Sequence, residues 1–490
     1  MNRHPKPCST FARPASQKPP SLRSRVQRTA LGFAALLCVA SITPLAHGAI
    51  VNWTGGGDGV SIGSAANWGG TLPVPNNGDI ATFDGRVPGN LVLTYISGIS
   101  GNFNDVDALT WYLTGTQTGS VTIITPKPNS AYLNIGHIIL EPGAGAFTLG
   151  DNDPSKLLWL IARPTSAIHL WVNNSTSPAT INPRIKWGSQ GGAFWTADFS
   201  GTGDWHVNNY LNNDNGGDNL IVVNGPGTVY WNPTGFLGVN GIGTPITING
   251  GKLVLQNAHP RIQNQQIGIG TIFEFNAPGA AEMLSGNITG PGELHVSNGT
   301  LTLSGQNDYS GGTFLNGGEL IVNSAENEGI SGPLGVSGLI SFNGGTLRYG
   351  VNNTYDYSGR FSTAAGQAYR INTAGQNVVF TNSAGLSSSG GTLTKLGAGT
   401  LTLAGPSSYS GLTTVSAGKL VFQGPKTGSG NITVADAATL GVFATGSQVM
   451  PATLTVGTAA GATLEFDNVS SITTPPIAAG TVTANGAITI

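Results

Sequence analysis

The sequence predicts an all-β chain wound as a β-solenoid, and three observations predict it. First, short runs that alternate apolar and polar residues recur between glycine-rich turns. Thr392-Leu393-Thr394, Thr400-Leu401-Thr402-Leu403 and Lys419-Leu420-Val421-Phe422 follow one another within residues 390–424. Period-two alternation puts Leu393, Leu401 and Leu403 on one face of a strand and the threonines on the other. That stretch has no 3.6-residue periodicity and no capping box. Second, the pattern repeats: residues 299–322 align without a gap on residues 399–422, with 12 of 24 positions identical. A unit of short strands cannot bury its apolar face alone and must stack on copies of itself. Third, charged residues make up only 9 % of the chain while 74 of 490 residues are Gly, against roughly 25 % and 7 % in globular proteins. Disorder, the competing account of so much glycine, goes with low hydrophobicity and high net charge; here 39 % of residues are hydrophobic and the formal charge is −2.

The repeat can be written out residue by residue. One copy supplies Leu393, Lys395, Gly397, Gly399, Thr400, Leu401 and Leu403, then Tyr409-Ser410-Gly411 and Thr413, then Gly418 and Leu420. The upstream copy supplies Gly299, Leu301, Leu303, Tyr309, Gly311, Gly318 and Leu320, but residues 293–298 replace the lysine-containing lead. A third, decayed copy runs from Val223 to Thr228 and on to Leu253. This pattern resembles the autotransporter-associated β-strand repeat, also called the passenger-associated transport repeat, with copies near residues 290–324 and 390–424. The resemblance implies a right-handed parallel β-helix displayed on, or secreted from, a bacterial surface, and it implies no catalytic residues.

Taken in order, residues 1–48 carry seven Lys or Arg and no acid. They include a 13-residue apolar run, 30–42, followed by Ala46-His47-Gly48. That run is shorter than the roughly 20 residues of a membrane span and reads as a secretory signal peptide with a long basic lead, cleaved near Gly48. Both cysteines, Cys8 and Cys38, lie in it. The mature chain then has no transmembrane segment and no disulfide, so its core and hydrogen-bond ladders must hold it. Residues 49–90, with Asn52-Trp53 and Asn67-Trp68, read as the N-terminal cap that shields the first open sheet edge. Residues 91–240 read as a less regular, Trp-rich part of the same solenoid, because all nine Trp fall between Trp53 and Trp231. Residues 241–490 read as the regular solenoid, with a coil of roughly 22 residues. No membrane-barrel strands, which run about ten residues each, follow Pro475-Pro476. The chain is therefore expected to be a passenger without its own translocator, or a degenerate one.

The chemistry-bearing residues form no clear constellation. Without residues 1–48 the chain has 14 basic and 23 acidic residues and no basic cluster, which argues against nucleic acid as a partner. Arg184-Ile185-Lys186 matches a string found in pectin-cleaving parallel β-helices, but no Asp-Asp pair accompanies it. Asp214 and Asp218, on a run of Asn and Gly, offer the hard oxygens that suit Ca²⁺, but the run lacks the iterated nonapeptide of Ca²⁺-binding solenoids and a solvated turn is the preferred reading. The five histidines after residue 48 and before 300 have no metal-ligand spacing, and no cofactor motif is present. The expectation is a secreted or surface solenoid with a structural or adhesive role and no catalysis. Its partners would be cell-surface polysaccharide or an outer-membrane translocator acting in trans. The alternative is a polysaccharide-acting or polysaccharide-binding β-helix using Asp204 or Asp214.

Overall fold

The computed structural model describes residues 48–73, 79–95, 108–124, 131–151, 158–162, 168–182, 184–187, 196–208, 211–212, 220–233, 244–258, 262–443, 448–469 and 474–490. The signal peptide read from residues 1–48 lies almost wholly outside them. Among the described residues the only helical pieces are single 3₁₀ turns, Ala65–Trp68 and Ser358–Arg360. No described helix is long and apolar enough to cross a membrane.

Among the described residues the strands pair in parallel, and those inside each sheet pair with the equivalent strands one coil earlier and one coil later. One sheet climbs from Ile50–Asn52 through Ile80–Phe83, Ala108–Leu113 and onward to Ile288–Thr289. A second runs from Leu91–Thr94 to Thr481–Ala484 and so passes through both the Trp-rich and the regular regions. A third takes over at Asn377–Phe380 and ends at Ala487–Thr489. The second sheet closes a loop of pairings without being a barrel. Glu293–Leu303 is long enough to face two short strands of the next coil, Thr313–Leu315 and Glu319–Val322. In the later coils single bridges stack Leu386, Ser407, Lys426, Val449 and Ile477 into a third side. This is the parallel β-solenoid that the alternating runs imply.

Coil length differs from the roughly uniform value expected. Hydrogen bonds between equivalent positions join residues 19 apart, as at Ser324 and Gly305, or 33 apart, as at His169 and Gly136. The reason is that extra residues loop out between strands while most strand pairs keep their register, with shifts at Thr244/Ile246 and between Phe275 and Ala281. In the Trp-rich region part of the surplus forms a side sheet of Ala131–Leu140, Leu158–Ala162, Arg184–Trp187 and Leu211–Asn212.

The inward residues make one continuous core from Val51 to Ala462. Its N-terminal end is aromatic. Trp53, Trp68, Phe83 and Trp111 pack with ring centroids 5.0–6.4 Å apart, and all four are buried. The neighbouring Asn67 pins the glycine-rich loop above them. Its Oδ1 accepts from the Gly57 and Gly59 amides, and its Nδ2 donates to Asp58 and to the Ser61 carbonyl. Both Asn67 and Trp68 therefore work inside the fold, with no ring of the pair free to stack on a sugar.

Amides outside the core form ladders of their own. Asn224 donates to Asp198 and Asn249 donates to Asn224, one coil per step. Asn208 to Asn182, Asn298 to Asn276, and Asn343 to Asn316 repeat the arrangement. Such bonds, worth about 1 kcal/mol each, are multiplied by stacking and serve a chain whose described residues hold no cysteine.

The tightest stacking occurs where a corner glycine meets the carbonyl of the coil before it. Gly399 has φ +85°, and a Cβ there would sit 2.2 Å from the Gln376 carbonyl oxygen. Gly390 also has positive φ but open space around it. Gly399→Ala should therefore cost about 3 kcal/mol, from strain and clash together, and Gly390→Ala about 1 kcal/mol, from strain alone. Urea unfolding of the two variants beside the parent chain checks the difference; equal losses would contradict it.

Candidate functional site

The repeat residues were singled out by sequence, and the structure gives each a place. Leu393, Leu401, Leu403 and Leu420 are buried, as are Leu301, Leu303 and Leu320. Within one copy, Thr400–Leu403 pairs with Lys419–Phe422, setting Leu401 on Leu420 and Leu403 on Phe422. In the upstream copy Leu301 sits on Leu320 and Leu303 on Val322. Each repeat thus spans two successive coils, and its two halves are stacked neighbours.

The tyrosine of the motif has a fixed partner. Tyr409 is fully buried and its hydroxyl meets Thr413 Oγ1 at 2.6 Å; Tyr309 meets Thr313 at 2.7 Å. Burial pushes the Tyr309 hydroxyl up to about 12 and raises Tyr409 further. Between tyrosine and threonine, Ser410 Oγ accepts the Gly390 amide at 2.8 Å and the Gly411 amide donates to the Gly391 carbonyl at 2.8 Å. Gly311 abuts Gly292 at the equivalent corner. The Tyr-Ser-Gly-x-Thr string is therefore a corner that locks onto the coil below. Gly418 stacks on Gly399, and Gly318 on Gly299, in the same way; in each pair an added Cβ would lie 2.5 Å from the lower carbonyl oxygen.

Lys395 is the unusual member. It points inward, is fully buried, and ends at the corner where the chain turns through Gly397. Its Nζ donates to the carbonyls of Leu396 (3.0 Å) and Gly397 (2.8 Å) in its own coil and of Ala417 (3.1 Å) in the next. No carboxylate is among these partners; the ammonium is held by carbonyl dipoles alone. Burial lowers its pKa from 10.5 to about 8. The upstream copy explains itself by comparison. Leu294 pairs with Thr313 and Val296 with Leu315, just as Leu393 pairs with Thr413 and Lys395 with Val415. Val296 therefore fills the place of Lys395, and the upstream lead is one residue shorter. It has no counterpart of the Gly397 corner, so no carbonyl cage is formed.

A second buried lysine was not foreseen. Lys426 Nζ donates to the carbonyls of Tyr409 (2.9 Å) and Gly428 (2.5 Å) and lies 4.2 Å from the Tyr409 ring centroid. Burial lowers it to about 8 as well. Arg360 was also missed. It donates to the carbonyls of Leu334, Gly335, Ser337 and Gly338 and so clasps a loop against the solenoid. Neither residue carries a local sequence signal, since isolated Lys and Arg are ordinarily exposed.

The other candidates are dispersed. Asp214 and Asp218 lie outside the described residues. Among the described residues no group of three His, Cys, Asp or Glu is placed to hold a metal ion. Asp204 accepts the Thr228 amide at 3.0 Å at a corner, and Asp198, within the strand Thr196–Ser200, heads an amide ladder. Arg184–Trp187 forms a strand of the side sheet. His206 stacks on Tyr230, and buried His169, lowered by burial to about 4, faces the Gly136 carbonyl.

Fold and corners together define a parallel β-solenoid whose motif residues are architectural. The family model for the passenger-associated transport repeat matches residues 297–322 and 393–422, so the chain carries two such repeats. The shorter upstream match begins where the lysine-containing lead is lost. The decayed third copy lies outside both matches. No curated protein and no solved structure matches the chain. Two transport repeats on a parallel solenoid fit an autotransporter passenger-like protein.

The lysine cages predict a pH dependence. Between about pH 8 and 10.5 the unfolded chain holds protons on Lys395 and Lys426 that the folded chain has released. Stability should rise with pH across that window and fall back as pH drops from 10.5 to 8. Buried Tyr309, raised to about 12, opposes the rise above about pH 10. Lys395→Met should flatten the rise and, at pH 7, change stability by no more than about 1 kcal/mol. Val296→Lys, with no cage to enter, should cost about 3 kcal/mol. Urea titrations between about pH 7 and 10 test both; a profile unchanged by Lys395→Met would contradict the cage account.

Proposed function

We propose that the chain is a secreted or surface-displayed β-solenoid passenger with a structural or adhesive role and no catalysis of its own. The observation that carries this reading is the use of the transport-repeat residues. Leu, Gly, Tyr and Thr of both copies make the core and lock one corner onto the next. The basic, apolar and small-residue pattern of residues 1–48 supports export through a cleaved signal peptide. Hydrolysis of a polysaccharide would need a free acid–base pair; Asp204 is engaged at a corner and Asp198 in an amide ladder. Contact with a partner would be multivalent, many weak hydrogen bonds along a stacked face adding by avidity. Cell-surface polysaccharide, or a translocator in the outer membrane supplied in trans, fits such contact.

External protease added to intact cells, with an antibody reading the mature chain in cells and medium, tests the proposal. Cell-bound, protease-sensitive chain or intact chain in the medium is the expected result. Chain held inside the cell envelope would overturn it.

A further inference from the structure

One face of the later coils goes beyond general adhesion. In-register pairing stacks Thr394, Thr414, Thr433, Thr455 and Thr483 into a column across five coils, without a bulge. The first four point outward between buried neighbours, such as Ile432 and Val434 around Thr433. A second column lies two residues earlier on each strand. It holds Thr392, Thr453 and Thr481, with Leu412 and Asn431 at the remaining two levels. None of the ten residues is charged or aromatic; the column is bounded one coil before Thr394 by Arg370, which pairs with it in register. Among the described residues the eight threonine hydroxyls have no partner within the protein, in contrast to inward Thr313 and Thr413, which hold Tyr309 and Tyr409.

Parallel strands about 4.8 Å apart, with like-facing residues about 6.6 Å apart along each strand, turn these side chains into a rigid two-dimensional grid. Threonine is stiff at χ1, so little side-chain entropy is lost when the grid is covered. Each hydroxyl donates one hydrogen bond and accepts others, as a lattice water does. Each methyl restricts the water beside it. The absence of charge within the grid, with Arg370 only at its border, disfavours an anionic polymer or an anionic membrane, which are held by several Lys and Arg. The absence of aromatic rings disfavours a sugar chain, whose apolar faces are met by stacking on flat aromatic side chains. What remains is an uncharged, rigid lattice of donors and acceptors.

We propose that this threonine grid binds the surface of ice. Many individually weak contacts on one rigid face then act together. The experiment uses the purified secreted chain and measures ice recrystallisation and the gap between melting and freezing temperatures. The parent chain should slow recrystallisation and open a gap. Thr414→Lys with Thr433→Lys should need roughly ten-fold more protein for the same effect, since a raised charge lifts the whole face off its lattice. Thr402→Lys, on the neighbouring sheet, should leave the effect unchanged. Because lysines could disturb folding, Thr414→Val with Thr433→Val serves as a second pair; it keeps the branched shape, removes two hydroxyls and should weaken the effect without shifting the melting curve. A parent chain with no effect on ice would overturn the proposal. So would lysine variants that fold and keep the full effect. Retention on an insoluble neutral glycan, lost in the same variants and unaccompanied by any effect on ice, would overturn it in favour of a glycan surface.

Discussion

Close stacking of one corner on the next is the constraint on which the rest of this structure depends. A parallel solenoid brings each turn within van der Waals reach of the turn below. At Gly399 and Gly418 the approach is so close that a single Cβ would collide with a carbonyl oxygen. Once the corners are seated, the strands between them can only pair in register, and register fixes which side chains face inward. Tyr409 with Thr413, the Asn ladders and the lysine cages are further ways of tying one coil to the next. The hydrophobic core supplies the larger share of stability, about 2 kcal/mol for each buried Leu. The corners decide which stack of strands receives it.

Much of this was legible in the sequence, for a physical reason. Period-two alternation reports burial directly, so Leu393, Leu401 and Leu403 could be placed on one face before any fold was known. Glycine marks many corners because positive φ or close approach to the coil below, as at Gly399, disfavours a side chain there. Lys395 could be read as part of a motif, yet nothing in its neighbours announces a buried ammonium. Its cage is made of carbonyls from residues 396, 397 and 417, and carbonyls have no sequence signature. Lys426 and Arg360 escaped for the same reason. Coil length also escaped, because a loop of any length can leave a corner without disturbing the sheets. In the upstream lead a one-residue deletion places Val296, not His295, where Lys395 stands.

The solenoid also explains how so weakly charged a chain can present a functional surface. Outward positions are freed from folding duties because inward positions and corners carry them. Repetition then turns a single outward residue type into a column. The threonine column and the amide ladders arise by this one route and differ in how their polar groups are used. In the ladders each amide satisfies its neighbour. In the threonine column the hydroxyls are left for solvent or a partner.

The central claim is that each transport repeat advances the chain by one coil, with Thr394 directly below Thr414 and Thr414 directly below Thr433. Paired cysteines test it most directly, since a disulfide requires Cα atoms within about 7 Å. In a chain without residues 1–48, which hold both cysteines, Thr394→Cys with Thr414→Cys should oxidise readily to an intramolecular disulfide. Thr394→Cys with Thr433→Cys, two coils apart at about 9.6 Å, should not. Bridging of the second pair in preference to the first would contradict the register, and with it the account of the corners.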